Sequence, residues 1–134
     1  MKERDASTYL LNLLKNDADF VEKLSTYKTS KSTVPMLIFA PILPSDWKIT
    51  DKTCNIYTVS NASRLEYNRF RFRASCRSNT YSESRDMALA LMDAVNRHCE
   101  SGYFVTTTVL QTTNPSDAAV DNFNTPVEIL VRAT

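Results

Sequence analysis

The sequence feature that most constrains the fold is an alternation of side-chain type between residues 69 and 77. The apolar positions are Phe70, Phe72, Ala74 and Cys76. The arginines before, between and after them are Arg69, Arg71, Arg73 and Arg77. Successive side chains of a β-strand point to opposite faces of a sheet, so this strand is predicted to have one core face and one face of guanidinium groups. That division favours an antiparallel sheet covered on one side only.

An amphipathic helix is predicted directly after this strand. Ser82 is its expected N-cap, Glu83 suits the helix dipole in the first turn, and Gly102 follows its end. Its apolar stripe comprises Met87, Leu91, Ala94, Val95 and His98, widened by Ala88, Leu89 and Met92. A stripe of this width predicts a helix that lies flat against the sheet.

The N-terminal region is predicted to be helical and then irregular. Apolar residues recur at helical spacing over residues 10–24, with Ser7 as N-cap and Asp17 as a second start signal, so we expect one bent helix or two short ones. Residues 28–35 are polar and end in proline, which predicts a connection. Residues 36–40 are apolar and bounded by prolines, which is typical of an edge strand.

The remaining segments are predicted to be strands. Residues 54–60 and 65–77 are expected to pair as an antiparallel hairpin, and residues 103–111 and 127–131 have the composition of two further strands. The resulting fold is α+β: a two-layer sandwich, with a mostly antiparallel sheet of four to five strands and two main helices packed on one face. Residues 1–134 are predicted to form a single domain.

Composition excludes most kinds of catalytic site. Gly102 is the only glycine among 134 residues, which excludes glycine-rich phosphate loops and dinucleotide fingerprints. Cys54, Cys76 and Cys99 are odd in number and widely spaced, which fits reduced thiols. No apolar run is long enough to cross a bilayer, and the net charge is +1. We therefore expect no enzyme activity, no cofactor, no metal and no membrane partner, and a small enzyme using His98 with a cysteine is the remaining alternative.

Three parts of the chain carry a family resemblance: DASTYLLNLLKNDADFVEKL, FRFRASCRSNTYSESRDMALALMDAVNR, and the closing strands around a long loop. Together they resemble the tail-terminator and tail-completion family of long-tailed bacteriophages, or another ring of the portal-to-tail neck. The resemblance implies a virion protein, assembled in the host cytoplasm as a hexameric ring around a DNA channel. Its implied partners are copies of itself, tail tube proteins, neck or head-completion proteins, and the DNA that passes through.

Two loops are predicted to carry subunit contacts, at residues 41–53 and 112–126. In the first, Ile42 and Trp47 are large apolar groups that either pack down or meet a neighbouring subunit. In the second, Phe123 is predicted to be an interface anchor, because little around it in the sequence could form a local cluster.

The arginine strand face has three readings. It is a solvated sheet face, or it contacts acidic residues of the next subunit, or Arg69, Arg71, Arg73 and Arg77 face DNA or the ring lumen. The competing function is accordingly a small nucleic-acid-binding module that uses this face. It predicts binding that weakens steeply with added salt.

Overall fold

A computed structural model describes residues 3–28, 31–40, 51–63, 68–97, 103–114 and 122–133. Within these ranges the elements follow the chain as α1 (Glu3–Lys15), α2 (Ala18–Val21), β1 (Thr26–Lys28), β2 (Thr33–Pro35), β3 (Leu37–Ile38), β4 (Thr53–Ser63), β5 (Asn68–Ser78), α3 (Tyr81–Arg97), β6 (Tyr103–Val109) and β7 (Phe123–Ala133). No helix in the described ranges is long and apolar enough to cross a membrane.

The main sheet has five strands in the order β3-β4-β5-β7-β6, and β1 and β2 form a separate two-stranded sheet. The pairs β4–β5, β5–β7 and β6–β7 are antiparallel, whereas the short strand β3 lies parallel to β4. The predicted α+β sandwich, its hairpin and its edge strand near residue 37 are therefore confirmed. Of the two strands around the long loop, β7 lies inside the sheet and β6 forms its edge.

Alternation along β5 divides the sheet into an inner and an outer face. The predicted apolar set, Phe70, Phe72, Ala74 and Cys76, is buried in the core. The pairing of β4 with β5 contains one extra β4 residue, because the register shifts between Thr58 and Ser60. The extra residue, Val59, is 46% exposed, and after the shift Ser60 pairs with Arg71.

The helices cover the inner face. α3 contacts β5, β6 and β7, while α1 and α2 pack on α3. Alanines at the α3 contact permit a close approach, and Leu10, Leu14 and Phe20 complete the same core cluster. The predicted stripe of Met87, Leu91, Ala94 and Val95 is buried, but Leu89 is 40% exposed, so its assignment to the buried stripe is wrong. His98 lies outside the described residues.

Helix starts were only partly predictable. Asp17 is the N-cap of α2, where its carboxylate accepts a hydrogen bond of 3.0 Å from the Phe20 backbone N–H. Ser7 is not a cap, since α1 already begins at Glu3. Ser82 lies inside α3, which begins at Tyr81. Thr80 precedes α3, and its sequence relation to Glu83 is that of a capping box.

Residues 26–28 and 33–35 pair as the antiparallel strands β1 and β2, so the predicted connection over residues 28–35 is wrong in part. β-branched and aromatic residues on both sides of the turn favour strand pairing there. Two backbone bonds then join the flanking residues to the start of β4: the Ser25 N–H donates to the Lys52 carbonyl, and the Cys54 N–H donates to the Met36 carbonyl. A third, from the Met36 N–H to the Ser25 carbonyl, joins the two flanking residues to each other. The hairpin is thereby tied to the sheet at the start of β4.

The last loop is shorter than predicted, because β7 begins at Phe123 and Thr113 already bridges to Asn124. Pro126 lies within this central strand, where a missing N–H normally breaks a ladder. Its nitrogen faces Leu110, whose N–H donates to the Pro126 carbonyl at 2.9 Å. The Leu110 carbonyl, deprived of a partner on Pro126, accepts a hydrogen bond of 2.9 Å from Arg85 Nη1 of α3. Arg85 thus supplies the hydrogen bond to the Leu110 carbonyl that Pro126, which has no N–H, cannot donate.

Candidate interaction surface

The outer face of the main sheet carries the arginines that the sequence singled out. The registers place side chains from neighbouring strands in rows across this face. One row joins Tyr57, Arg73, Glu128 and Thr108; the next joins Arg71, Leu130 and Thr106; the third joins Arg69, Arg132 and Phe104. The net charge at any point of this face therefore depends on which residues of neighbouring strands share a row, and not on the sequence of β5 alone.

Arg73 is neutralised by its neighbour on β7. Its Nη2 donates to Glu128 Oε1 at 2.7 Å, and each side chain is 36% exposed. The pair occupies opposite positions on adjacent strands, where cross-strand side chains meet. This hydrogen bond, which Arg73 donates to Glu128, raises the pKa of Arg73 further. Arg73 is thus part of an ion pair within the sheet and contributes little net charge to the surface.

Arg77 is withdrawn from the surface by burial. Desolvation lowers its pKa, against an opposing electrostatic contribution from Tyr57. Its Nε is buried and has no hydrogen-bond partner within the part of the chain that the structure describes. Of the four candidate arginines, Arg73 is held in an ion pair, Arg77 is partly buried, and Arg69 and Arg71 are exposed; their contact with DNA or a ring lumen stays a prediction.

A basic corner remains at the far end of the outer face, formed by Arg69, Arg71, Arg132 and Phe104. All four are exposed, and Phe104 is 60% exposed, the highest value among the large apolar residues described. Arg132 lies opposite both Arg69 on β5 and Phe104 on β6. Sequence reasoning missed Arg132 and Phe104, because only the pairing of three strands that are distant in the chain brings them beside Arg69.

The helix layer has the opposite character. Asp86, Leu89 and Asp93 are exposed on α3, and their spacing of three and four residues places them on one line along the helix. Asp5, Asp19 and Glu22 are also exposed on α1 and at the end of α2. We call the set Asp86, Leu89 and Asp93 the acidic stripe. Leu89 is its apolar centre, with a carboxylate on either side.

A mixed-charge pocket of about 280 Å³ lies beside the acidic stripe, lined by Glu22, Lys23, Lys52, Glu83, Asp86 and Met87. Lys52 Nζ and Glu83 Oε1 form an ion pair at 3.2 Å, and Ser78 Oγ donates to Glu83 Oε2 at 2.9 Å. The hydrogen bonds from Ser78, Lys52 and Thr80 hold the pKa of Glu83 below its usual value. The Glu83 carboxylate thus joins α3 to Lys52, which directly precedes β4, and to Ser78 at the end of β5.

Cys54 and Cys76 are fully buried and face each other across β4 and β5. The hydrogen bond with Cys76 and burial both raise the pKa of the Cys54 thiol well above its ordinary value. A thiol held in its protonated form is a poor nucleophile. Within the described residues, no group of three or more histidine, cysteine, aspartate or glutamate side chains could hold a metal ion.

The three apolar interface candidates have different outcomes. Ile42 and Trp47 lie outside the described residues. Phe123 is the first residue of β7 and is half-buried, and its ring meets the ring of Tyr81 edge-to-face at 6.0 Å. The expectation that Phe123 lacks a local cluster is therefore wrong. Its role as an interface anchor stays a prediction, now shared with Tyr81, which is exposed at the start of α3.

Comparison with known proteins gives a likeness of structure only. No protein-family model matches the sequence, and no curated protein matches it. Among solved structures, the fold is similar to that of a chain in the virion of a native gene transfer agent particle, with a TM-score of 0.54 and 13% sequence identity. The match covers 92% of this chain and 90% of that chain. The two proteins therefore share one fold over nearly their whole lengths.

Proposed function

We propose that this protein is a structural component of a phage-like virion, and within it a tail-terminator or neck ring protein at the head-to-tail junction. The observation that carries the proposal is the fold shared, over nearly the full length of both chains, with a chain of a gene transfer agent virion. The resemblance in sequence pattern to tail terminators points to the same class of particle. A protein of this kind acts through its surfaces, by contacts with copies of itself and with tail and neck proteins.

The proposed assembly is a ring that closes by rotation around a channel for DNA. Ring closure requires a heterologous contact, in which one surface of a subunit meets a different surface of the next. The chain offers two unlike surfaces, the basic corner on the sheet and the acidic stripe on α3. This division of charge supports a ring better than it supports a two-fold dimer.

Two measurements test the proposal. Light scattering over a concentration series, with negative-stain images of the largest species, is expected to reveal discrete rings with a central hole. Labelling of purified virions with an antibody against this chain is expected to mark the junction of head and tail. Labelling along the tail shaft, on the capsid shell or nowhere on the particle would contradict the junction assignment.

A nucleic-acid-binding module is the second candidate, and the basic corner is the observation that favours it. Arginines beside an exposed aromatic ring are the elements of non-specific contact with nucleic acid. In that case the double variant Arg71→Ser/Arg132→Ser loses DNA affinity, and the affinity of the native protein falls steeply as salt is raised. DNA affinity that does not change with this substitution would exclude the module.

A further inference from the structure

We infer that the basic corner of one subunit binds the acidic stripe of the next, so that a sheet-to-helix contact between copies of this chain holds the ring together. The inference rests on the proposed ring function and names the surfaces that would form it. The basic corner is Arg69, Arg71, Arg132 and Phe104, and the acidic stripe is Asp86, Leu89 and Asp93.

The first argument is complementarity of charge within one chain. The net charge is only +1, yet the charged groups are separated between the two layers. The outer sheet face carries five arginines, Arg69, Arg71, Arg73, Arg77 and Arg132, against the single described carboxylate of Glu128. The exposed surface of α3 carries Asp86 and Asp93. Opposite potentials on two faces attract two copies head to tail, and like faces repel.

The second argument is that each surface combines charge with an exposed apolar group. Phe104 is 60% exposed beside Arg132, and Leu89 is 40% exposed between its two aspartates. Interfaces combine an apolar centre, often aromatic, with a charged rim. An arrangement in which Phe104 and Leu89 approach each other, with arginines and aspartates around them, fits both surfaces.

The third argument concerns geometry along the two elements. Asp86 and Asp93 are seven residues apart, which is about 10 Å along a helix. Arg71 and Arg132 lie on adjacent strands in adjacent rows, and arginine side chains are long enough to extend several ångströms beyond their backbone. A helix laid across the end of the sheet can therefore place one carboxylate near β5 and the other near β7. The opposite sides of the sandwich carry the two surfaces, so each subunit can bind two neighbours at once.

The test uses two double variants and their mixture. The sheet variant is Arg71→Glu/Arg132→Glu, and the helix variant is Asp86→Lys/Asp93→Lys. Each is expected to weaken self-association at least about 100-fold at low salt, since it juxtaposes like charges. Mixed in equal amounts, the two variants have opposite charges at both of their mutual contacts and are expected to assemble together, in alternation, into species that neither forms alone. A chain that carries all four substitutions restores opposite charges and is expected to assemble again.

Sedimentation velocity measures the species, and circular dichroism with thermal unfolding verifies that each variant is folded. Lys28→Glu, on the separate two-stranded sheet, is the matched charge control and should assemble as the native protein does. Native self-association should fall as salt is raised.

Three results would overturn the inference. Double variants that assemble like the native protein would place the ring contact elsewhere, for example at the β6 edge, and leave the proposed ring function intact. Failure of the mixed variants to assemble with each other would exclude the sheet-to-helix pairing itself. A native protein that remains monomeric at about 1 mM in low salt would exclude a measurable contact of this kind, and labelling of virions would then decide the proposed function separately.

Discussion

At the scale of single residues, a chain of buried hydroxyl groups joins α3 to two strands. Ser84 Oγ donates to the Cys76 carbonyl at 2.7 Å and lies 2.8 Å from Thr125 Oγ1, which in turn lies 2.7 Å from Thr112 Oγ1. Each hydroxyl has one proton to donate, so Thr125 donates to Ser84 and Thr112 donates to Thr125. The network connects the first turns of α3 to β5 and β7 through groups that are excluded from water.

Ser84→Ala is expected to destabilise the fold by about 1–3 kcal/mol, because it leaves the buried Thr125 hydroxyl without its acceptor. Urea unfolding monitored by circular dichroism measures the change. Ser82→Ala, an exposed serine on the same helix, is the matched control and is expected to change the free energy of unfolding by less than about 0.5 kcal/mol. Equal effects of the two substitutions would show that helix propensity, rather than the hydroxyl network, is being measured.

Glu83 makes stability depend on pH in the acid range. Its pKa is lower in the folded protein than in the unfolded chain, so its contribution is present above the unfolded pKa and is lost as the pH falls through the folded value. The pair with Lys52 is partly exposed, and such pairs contribute about 0.2–1 kcal/mol.

Glu83→Gln should therefore lower the free energy of unfolding by that amount at pH 7, and the difference from the native protein should disappear as the pH falls from about 4.3, the ordinary glutamate pKa, through the lower folded value. Urea titrations of both proteins at several pH values measure it. A difference that stays the same from pH 7 to pH 3 would mean that the charge of Glu83 has no role and that the substitution acts through packing.

At the scale of secondary structure, the pairing of β6 with β7 determines which positions of β6 tolerate a proline. Because Leu110 bonds to Pro126, the alternation of an antiparallel ladder turns the N–H groups of Phe104, Thr106 and Thr108 toward β7. The N–H groups of Val105, Thr107 and Val109 point to the outer edge of the sheet. β6 contains no charged residue and no proline, which are the usual protections of an exposed edge.

Thr106→Pro should thus destabilise the protein by several times as much as Thr107→Pro, because only the first removes a ladder hydrogen bond to β7. Comparison of the two urea unfolding midpoints measures this. Thr107→Pro also blocks pairing at the outer edge, so a loss of assembly in that variant alone would point to an edge-to-edge contact between subunits. Equal destabilisation by both prolines would contradict the register-based assignment.

Local sequence signals predicted the elements whose own residues decide their structure. The alternation in β5, the Asp17 cap of α2 and the buried stripe of Met87, Leu91, Ala94 and Val95 depend on neighbours in sequence, and these were confirmed, whereas Leu89 was wrongly assigned to the stripe. The β1–β2 hairpin and the early start of β7 were missed. Both depend on partners supplied from elsewhere: residues 25 and 36 bond to the β4 region and to each other, and Asn124 bonds to Thr113.

At the scale of the whole molecule, the sandwich separates its charges between its two layers. The helix layer exposes aspartates on α3, and the sheet layer exposes the basic corner. Neither surface is needed to close the core, since their apolar members, Phe104 and Leu89, are 60% and 40% exposed. Such groups are free to serve contacts between subunits without a cost to the fold.

Phe104→Ser is therefore expected to change the free energy of unfolding by less than about 1 kcal/mol while it weakens self-association at least about 10-fold. Thermal unfolding and sedimentation velocity on the same samples separate the two effects. Phe72→Ala is the contrasting variant, because Phe72 is fully buried and its loss should cost about 3–5 kcal/mol. A Phe104 variant that assembles normally would remove this residue from the interface.

The sequence by itself determined the fold class, the two faces of β5 and the packing side of α3, because periodicity acts between residues that are close in the chain. Only the tertiary structure decided which arginines are exposed on the outer face. Glu128 neutralises Arg73, burial withdraws Arg77, and Arg132 and Phe104 join Arg69 from strands far away in sequence. The physical reason is that the net charge of a surface depends on lateral neighbours in the sheet, and the register between strands, rather than the order of residues, selects those neighbours.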